Sequence, residues 1–193
     1  MGFLIAAART PTPGELTNGL GGVRLLGNVR QSGSWWWTIV FYLHFKELNE
    51  ALSSHESCSL SAYAGDSAWK LSLFGHKQPP FSFWFDVSLT SEHGIERAKV
   101  YYQGKSVKLA RQFGLSEEEQ RFLKPLAFEE AVSRLLELQF AALLDAFQRF
   151  FIPHDPAILR DALLKPTPDE LESELGNLPR FLEAIGITGL LED

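Results

Sequence analysis

Cysteine and methionine are almost absent from this sequence of 193 residues, which has one of each. The single Cys58 excludes an internal disulfide and favours a reducing compartment, or one whose redox state does not matter for folding. No apolar run reaches the roughly 18 residues that a membrane-spanning helix needs. The first residues lack a basic segment followed by a long apolar one, which disfavours a secretory signal. We therefore expect a cytoplasmic protein without a membrane span.

Motifs that bind nucleotides or build a catalytic centre are also missing. The glycines of the Gly19–Gly22 segment lack the spacing of a dinucleotide-binding loop, and no Lys-Ser or Lys-Thr pair follows them. The five histidines form none of the paired short motifs that are typical of zinc sites. The sequence therefore predicts no cofactor, no metal site and no enzymatic activity. An enzyme with a dispersed site would need groups such as His76, Asp86 and His93 to meet in one cleft.

The two halves of the chain differ in composition and in charge. Gly, Ser, aromatic and β-branched residues dominate before about residue 105, and Leu, Glu, Ala and Phe with helical spacing follow. Residues 1–112 hold 11 Lys or Arg and 8 Asp or Glu, whereas residues 113–193 hold 7 and 16. The net charges are therefore +3 and −9. We expect a mainly β, sheet-forming part with one short helix over 1–112, and a helical part over 113–193 that packs on it as one composite domain.

Alternating hydrophobicity predicts strands in the first half. The segments that show it are Trp35–Phe45, Cys58–Ala64, Trp69–Phe74 and Phe81–Thr90. Arg97–Gln103 is predicted as a further strand, and Lys46–Ser53 as a short helix. Thr10–Gly33 is rich in turn-forming residues, so we expect loops there around a short strand at Val23–Val29.

The second half shows the helical spacing of apolar residues. Ser116 followed by three glutamates is typical of a helix start, because the hydroxyl caps the helix and the dipole favours acids in the first turn. The longest helix is predicted over Phe128–Phe151, where Pro153 and Pro156 follow its end. Shorter helices are predicted over Pro156–Leu164, Pro168–Leu175 and Leu178–Ile185. The sequence thus predicts an α+β fold, in which a curved antiparallel sheet of about five to seven strands packs against a long C-terminal helix followed by short helices.

One face of the predicted sheet combines small hydroxyl side chains with a few large aromatics and isolated charges. Aromatic anchors are typical of interface hot spots, and clefts that hold ligands combine aromatics with a few polar groups. A plain solvated face is the alternative. The residues predicted to contact a partner or a ligand are Tyr63, Lys70, Ser72, Trp84, Asp86, Lys99 and Tyr101.

These patterns favour a non-catalytic intracellular binding protein. It would be an adaptor, a regulator or an immunity-type inhibitor that engages a protein partner through the aromatic and serine face and the acidic helices. The alternative is a cavity between the sheet and the long helix for a small apolar ligand, since the chain has 15 Phe, 5 Trp and 4 Tyr. Nucleic-acid binding through the basic residues between Arg97 and Arg111 is less favoured, because the acidic half would repel phosphates.

Overall fold

The computed structural model describes residues 3–41, 45–65, 68–75, 77–90, 92–165 and 176–190. The strands are β1 (Phe3–Ala8), β2 (Arg30–Ser32), β3 (Trp35–Val40), β4 (Ser59–Gly65), β5 (Ala68–Gly75) and β6 (Gln78–Asp86). The helices are α1 (Pro13–Leu20), α2 (Phe45–Ser53), α3 (Glu92–Tyr101), α4 (Ser106–Gln112), α5 (Glu117–Leu123), α6 (Phe128–Arg149), α7 (Pro156–Leu164) and α8 (Leu178–Ala184). A short 3-10 helix covers Val87–Thr90.

The strands form one six-stranded antiparallel sheet in the order β2-β3-β1-β4-β5-β6. β1 therefore lies at the centre, and β2 and β6 lie at the two edges. The α+β prediction, with an antiparallel sheet in the first half followed by a long helix and short helices, is confirmed. None of the helices in the described ranges is both long and apolar enough to cross a lipid bilayer.

One face of the sheet packs against α6, α7 and α8. Successive strand residues point to opposite faces, so Trp69, Leu71 and Leu73 of β5 all enter this core. The ring of Trp69 lies 4.8 Å from that of Phe181 in α8, centroid to centroid. Phe147 of α6 is fully buried in the same cluster. Closely packed aromatic rings therefore fill the space between the sheet and these helices.

The opposite face is covered by α1 and α2 over strands β1, β3 and β4. Leu16 of α1 and Leu48 of α2 are fully buried against Leu4 and Val40 of the sheet. Hydrophobic clusters on both faces explain why β1 is apolar at every position. A strand that is covered twice has no solvent-facing side to carry polar residues.

The segment Arg97–Gln103, predicted as a strand, lies instead in α3 and the turn that follows it. Ala98 and Tyr102, four residues apart, are buried against the surrounding helices, whereas Val100 and Tyr101 are exposed. This is the period of a helix. The strand prediction was wrong because the basic residues Arg97 and Lys99 alternate with apolar ones over this stretch, which also fits the period of a strand.

Other differences lie in the first half of the chain. β1 and α1 were not predicted, and Val23–Val29 forms only an isolated bridge between Leu25 and Val40 rather than a strand. The strand predicted over Phe81–Thr90 ends at Asp86, where the 3-10 helix begins. The helix predicted over Pro168–Leu175 lies outside the described residues, as do His44 and His76.

Asn177 connects α7 and α8 to the sheet. Its Nδ2 donates hydrogen bonds to the carbonyl oxygens of Leu163 at 2.7 Å and Ala162 at 3.3 Å, and its Oδ1 accepts one from Trp69 Nε1 at 2.7 Å. Asn177 is fully buried. A polar side chain in such a place is stable only because both of its ends are hydrogen-bonded.

Candidate functional site

Four of the predicted site residues lie on adjacent strands at one end of the sheet. Tyr63 of β4 is opposite Lys70 of β5, which is opposite Trp84 of β6. Ser72 is opposite Ser82, and their hydroxyl oxygens are 3.3 Å apart. Tyr63, Lys70 and Trp84 are half-buried, but Ser72 is only 2% exposed and cannot be reached from solvent.

The predicted face is not open along its whole width. Ser59 and Ser61 are fully buried beneath α2, where Ser59 Oγ donates to the carbonyl oxygen of Leu52 and Ser61 Oγ donates to Asn49 Oδ1. Because α1 was not predicted and the cover from α2 was not foreseen, these serines were expected to face a wetter environment. They serve instead as hydrogen-bond partners of the helix packed on them.

Lys99 and Tyr101 were predicted on the sheet face, but they lie on α3. Lys99 Nζ donates to Glu129 Oε1 of α6, and this ion pair raises the pKa of Lys99 and lowers the pKa of Glu129. Tyr101 is 75% exposed and packs edge-on against Tyr102. Neither side chain lies in the wall of the cleft that Trp84 forms with Phe113 and Gln139.

A cleft of about 610 Å³ opens along the outer edge of β6, on the side where no other described strand pairs with it. The strands contribute Lys70, Ser82 and Trp84 to its walls, the segment after α4 contributes Phe113, and α6 contributes Gln139. Three parts of the chain that are distant in sequence therefore form the cleft together. Its volume lies within the range of ligand and peptide sites.

Aromatic rings form one wall of this cleft. The ring of Trp84 lies 4.8 Å from that of Phe113 at an angle of 41°, and both residues are half-buried. Lys70 of β5 is opposite Trp84 in the sheet, and its Nζ lies 5.4 Å from the ring centroid of Phe45. An ammonium group at this distance is attracted to the face of the ring. Trp84 and Lys70, which both line the cleft, thus each have an aromatic partner within the protein.

The edge of β6 presents backbone groups to the cleft. The carbonyl oxygen of Trp84 points away from β5, because it accepts a hydrogen bond from Gln139 Nε2 at 3.0 Å. The N–H and C=O of one strand residue point to the same side, and this side alternates along the strand. The backbone groups of Ser82 therefore also point outward, and Ser82 is exposed.

Only one end of the Gln139 carboxamide, the Nε2 group, has a hydrogen-bond partner among the described residues. Gln139 is 8% exposed, and its Oε1 is buried without a hydrogen-bond partner among the described residues. A buried acceptor without a donor costs about 1–3 kcal/mol. Gln139 therefore stands beside the cleft with an unused capacity to accept one hydrogen bond.

Asp86 lies at the end of β6 and has partners of its own. Its Oδ1 accepts hydrogen bonds from the backbone N–H of Ser88 at 3.0 Å and from Ser88 Oγ at 2.6 Å. Burial raises the pKa of Asp86, and burial together with the charge of Asp86 raises the pKa of Tyr102 to about 12. The carboxylate thus begins the 3-10 helix after β6 and does not line the cleft.

The basic residues between 97 and 111 lie on α3, on α4 and in the turn between them. A small notch of about 220 Å³ brings Arg111 near Arg121 and Lys124, but Glu117 lines it too and forms an ion pair with Arg121 at 3.2 Å. The positive charge there is partly neutralised. It is weaker as a phosphate site than the sequence alone indicates.

His55 and Cys58 carry reactive groups and lie outside the cleft beside β6. His55 borders a second cleft of about 600 Å³ beside α1, where its Nε2 lies 3.2 Å from the carbonyl oxygen of Glu15. Burial raises the pKa of Cys58 to about 11, so its thiol is a poor nucleophile. Over the ranges that the structure describes, no three His, Cys, Asp or Glu side chains converge as metal ligands would.

Phe113 and Gln139 were missed from the sequence. Phe113 follows a short helix, and Gln139 is a polar residue in an almost wholly apolar stretch of α6. That isolated glutamine was the one available signal, since a polar residue on a buried helix face needs a partner.

Comparisons with protein-family models, with curated proteins and with solved structures found no match to this chain.

Proposed function

We propose that the protein is a non-catalytic binding protein, and that a segment of a partner protein binds in the cleft beside β6. The observation that carries the proposal is that one cleft combines an aromatic wall, Trp84 with Phe113, and the outer edge of β6, which pairs with no other described strand. Half-buried aromatics beside backbone donors and acceptors are typical of protein recognition sites.

A partner protein is better supported than a small apolar ligand inside the fold. Trp69, Phe147 and Phe181 occupy the space between the sheet and the C-terminal helices, and each of them is buried. The cleft beside β6 is instead open along the edge and has polar groups, Lys70 and Glu119, in its lining. Such a mixed and open surface fits a polypeptide better than a hydrocarbon.

The wider role that we propose is that of an adaptor, a regulator or an inhibitor in the cytoplasm. A single cysteine whose pKa is raised by burial suits a protein that needs no disulfide chemistry. Exposed acids in the first turns of α5 and α6, such as Glu118 and Glu130, would favour the approach of a basic partner.

The proposal is tested by removing the aromatic wall. The tagged protein captures partners from its host, the captured protein is identified by mass spectrometry and purified, and its affinity for the wild type and the variants is measured by calorimetry. We expect Trp84→Ala and Phe113→Ala to weaken binding on the order of tenfold or more, because each removes an aromatic anchor. Phe151→Ala serves as the control, since this ring is 81% exposed and outside the cleft.

Each outcome has a separate meaning. The melting temperatures of the Trp84→Ala and Phe113→Ala variants should stay within a few degrees of the wild type, because both rings are only half-buried. If both variants bind the purified partner as tightly as the wild type does, the cleft is not the binding site and the proposal fails. A stoichiometric small apolar molecule released on denaturing the purified protein would favour the ligand carrier instead.

A further inference from the structure

On the basis of the proposed function, we infer that the partner segment binds as an extended β-strand, antiparallel to β6, and continues the sheet by one strand. Ser82 is the centre of this pairing. The occupant is a short, proline-free segment with apolar residues at successive positions. The argument for it comes from the backbone of β6, from Gln139 and from the two walls of the cleft.

The backbone groups of β6 alternate between β5 and the cleft. Phe83 is opposite Leu71 and is buried in the core. The outward direction of the Trp84 carbonyl, fixed by its bond from Gln139, shows that Ser82 and Trp84 are the residues whose backbone groups face the cleft. An extended chain placed there would meet the N–H and C=O of Ser82 and the N–H of Trp84.

Backbone groups at both ends of this edge cannot bond to an added strand, so only a short stretch of β6 is available for pairing. Pro79 and Pro80 come before it and have no N–H to donate. Trp84 closes the other end, since its carbonyl already accepts from Gln139. Prolines and inserted side chains protect exposed edges against indiscriminate pairing. Protection at both ends, with Ser82 exposed between them, limits the occupant to about three to five paired residues.

Gln139 explains why the occupant is a polypeptide backbone. Its Nε2 donates a hydrogen bond to the carbonyl oxygen of Trp84, and its buried Oε1 lacks a donor among the described residues. A small rotation of the carboxamide toward the cleft would present Oε1 to the next outward-facing N–H of the bound strand. The Gln139 side chain would thereby accept the hydrogen bond that the Trp84 carbonyl cannot accept, because this carbonyl is already bonded to Gln139 Nε2. An extended chain offers N–H groups at the regular spacing that such a relay needs.

The walls of the cleft define the side chains of the occupant. Alternate residues of an added strand would continue the face of Trp84 toward Phe113 and Leu115. The intervening residues would continue the opposite face of the sheet, toward Leu138 and Ala142 of α6. Both walls are mainly apolar, so the segment carries apolar residues at successive positions, and aromatic ones fit best against Trp84.

The test selects ligands from a phage-displayed library of random 12-residue peptides on the immobilised wild-type protein. Clones that also bind Trp84→Ala are discarded, and the remaining peptides are synthesised for calorimetry. Each is then made in a series with a single N-methyl group on one backbone nitrogen after another. We expect N-methylation to weaken binding on the order of tenfold at alternate positions only, because every second N–H of a paired strand points to β6.

Two protein variants complement the peptide series. Ser82→Pro removes an N–H that faces the cleft while leaving the bonds from β6 to β5, and it should weaken the selected peptides at least tenfold. Ser82→Ala is the matched comparison, since it keeps the N–H and removes only the hydroxyl, which lies 3.3 Å from that of Ser72. The difference in affinity between Ser82→Pro and Ser82→Ala therefore measures the contribution of the backbone N–H. Circular dichroism checks that both variants keep the fold. The N-methyl series needs no change in the protein, so it decides the question even if Ser82→Pro does not fold.

The outcomes separate this inference from the proposed function. Trp84-dependent peptides with a flat N-methyl profile would overturn the added strand while leaving partner binding at the cleft intact. A library that yields no Trp84-dependent peptide would overturn both. If the wild type dimerises in sedimentation experiments and Ser82→Pro is a monomer, the occupant is a second copy of this chain, and the inferred partner segment is wrong.

Discussion

Replacing Asn177 should remove the connection that fastens α7 and α8 to the sheet. Asn177→Leu keeps a side chain of similar size but deprives Trp69 Nε1 and the carbonyl of Leu163 of their bonds, both 2.7 Å long in the wild type. Each buried group left unpaired costs about 1–3 kcal/mol, so we expect a loss of about 2–6 kcal/mol. Domains are typically stable by only about 5–15 kcal/mol, which makes this a large share of the total.

Urea denaturation followed by far-ultraviolet circular dichroism measures this loss as a change in the free energy of unfolding. Asn18→Leu is the matched control, because Asn18 is exposed on α1 and its replacement should change stability by no more than about 0.5 kcal/mol. A double-mutant cycle with Trp69→Phe should give a coupling energy of about 1 kcal/mol or more. A loss below about 1 kcal/mol for Asn177→Leu, or a coupling near zero, would refute the role given to this hydrogen-bond cluster.

Three further predictions concern the core and the titratable groups. Phe147→Ala should cost about 3–5 kcal/mol in urea denaturation because the ring is fully buried, whereas Phe151→Ala should change stability by less than about 0.5 kcal/mol; equal losses would contradict the core assignment. Because the pKa of Cys58 is about 11, iodoacetamide at pH 8 should modify it about a hundredfold more slowly in the folded than in the urea-unfolded protein, and similar rates would show that the thiol is accessible and ordinary. Burial raises the pKa of Asp86, so the folded state holds this proton more tightly than the unfolded state and stability declines as pH rises through the titration of the carboxyl. Asp86→Asn keeps an oxygen for Ser88 to donate to and removes that decline, so it should be at least as stable as the wild type at pH 7; a clear loss there would disprove this account.

The elements that could be predicted are those with one apolar and one more polar face, because such elements show the period of a strand or a helix in the sequence. β5 and β6 alternate between core rings and more polar residues, and α6 carries a broad apolar stripe. β1 could not be recognised in the same way, because both of its faces are buried and no polar residue interrupts it. α1 was hidden by Pro13 and several small residues, although a proline suits the first turn of a helix.

The candidate site was predicted in part, for a related reason. Lys70 and Trp84 lie together because strand pairing follows from alternation, and alternation is visible in the sequence. Phe113 and Gln139 reach the same cleft from the turn after α4 and from α6, so their place depends on how helices dock on the edge of the sheet. That docking is a matter of tertiary packing, and no local pattern encodes it. Lys99 and Tyr101 were misplaced because their segment was assigned the wrong period.

The central position of β1 has a consequence for how the chain folds during translation. Residues 3–8 leave the ribosome before every other strand and helix described above, yet they pair with β3 and β4 on their two sides. Ile5 belongs to the same cluster as Phe147 and Ile187, which are translated near the end of the described chain. On the face that α6, α7 and α8 cover, β1 therefore stays exposed in the nascent chain until those helices have been synthesised. Until then the apolar residues on that face of β1 are open to aggregation, so this order of assembly favours early binding of a chaperone to the strand.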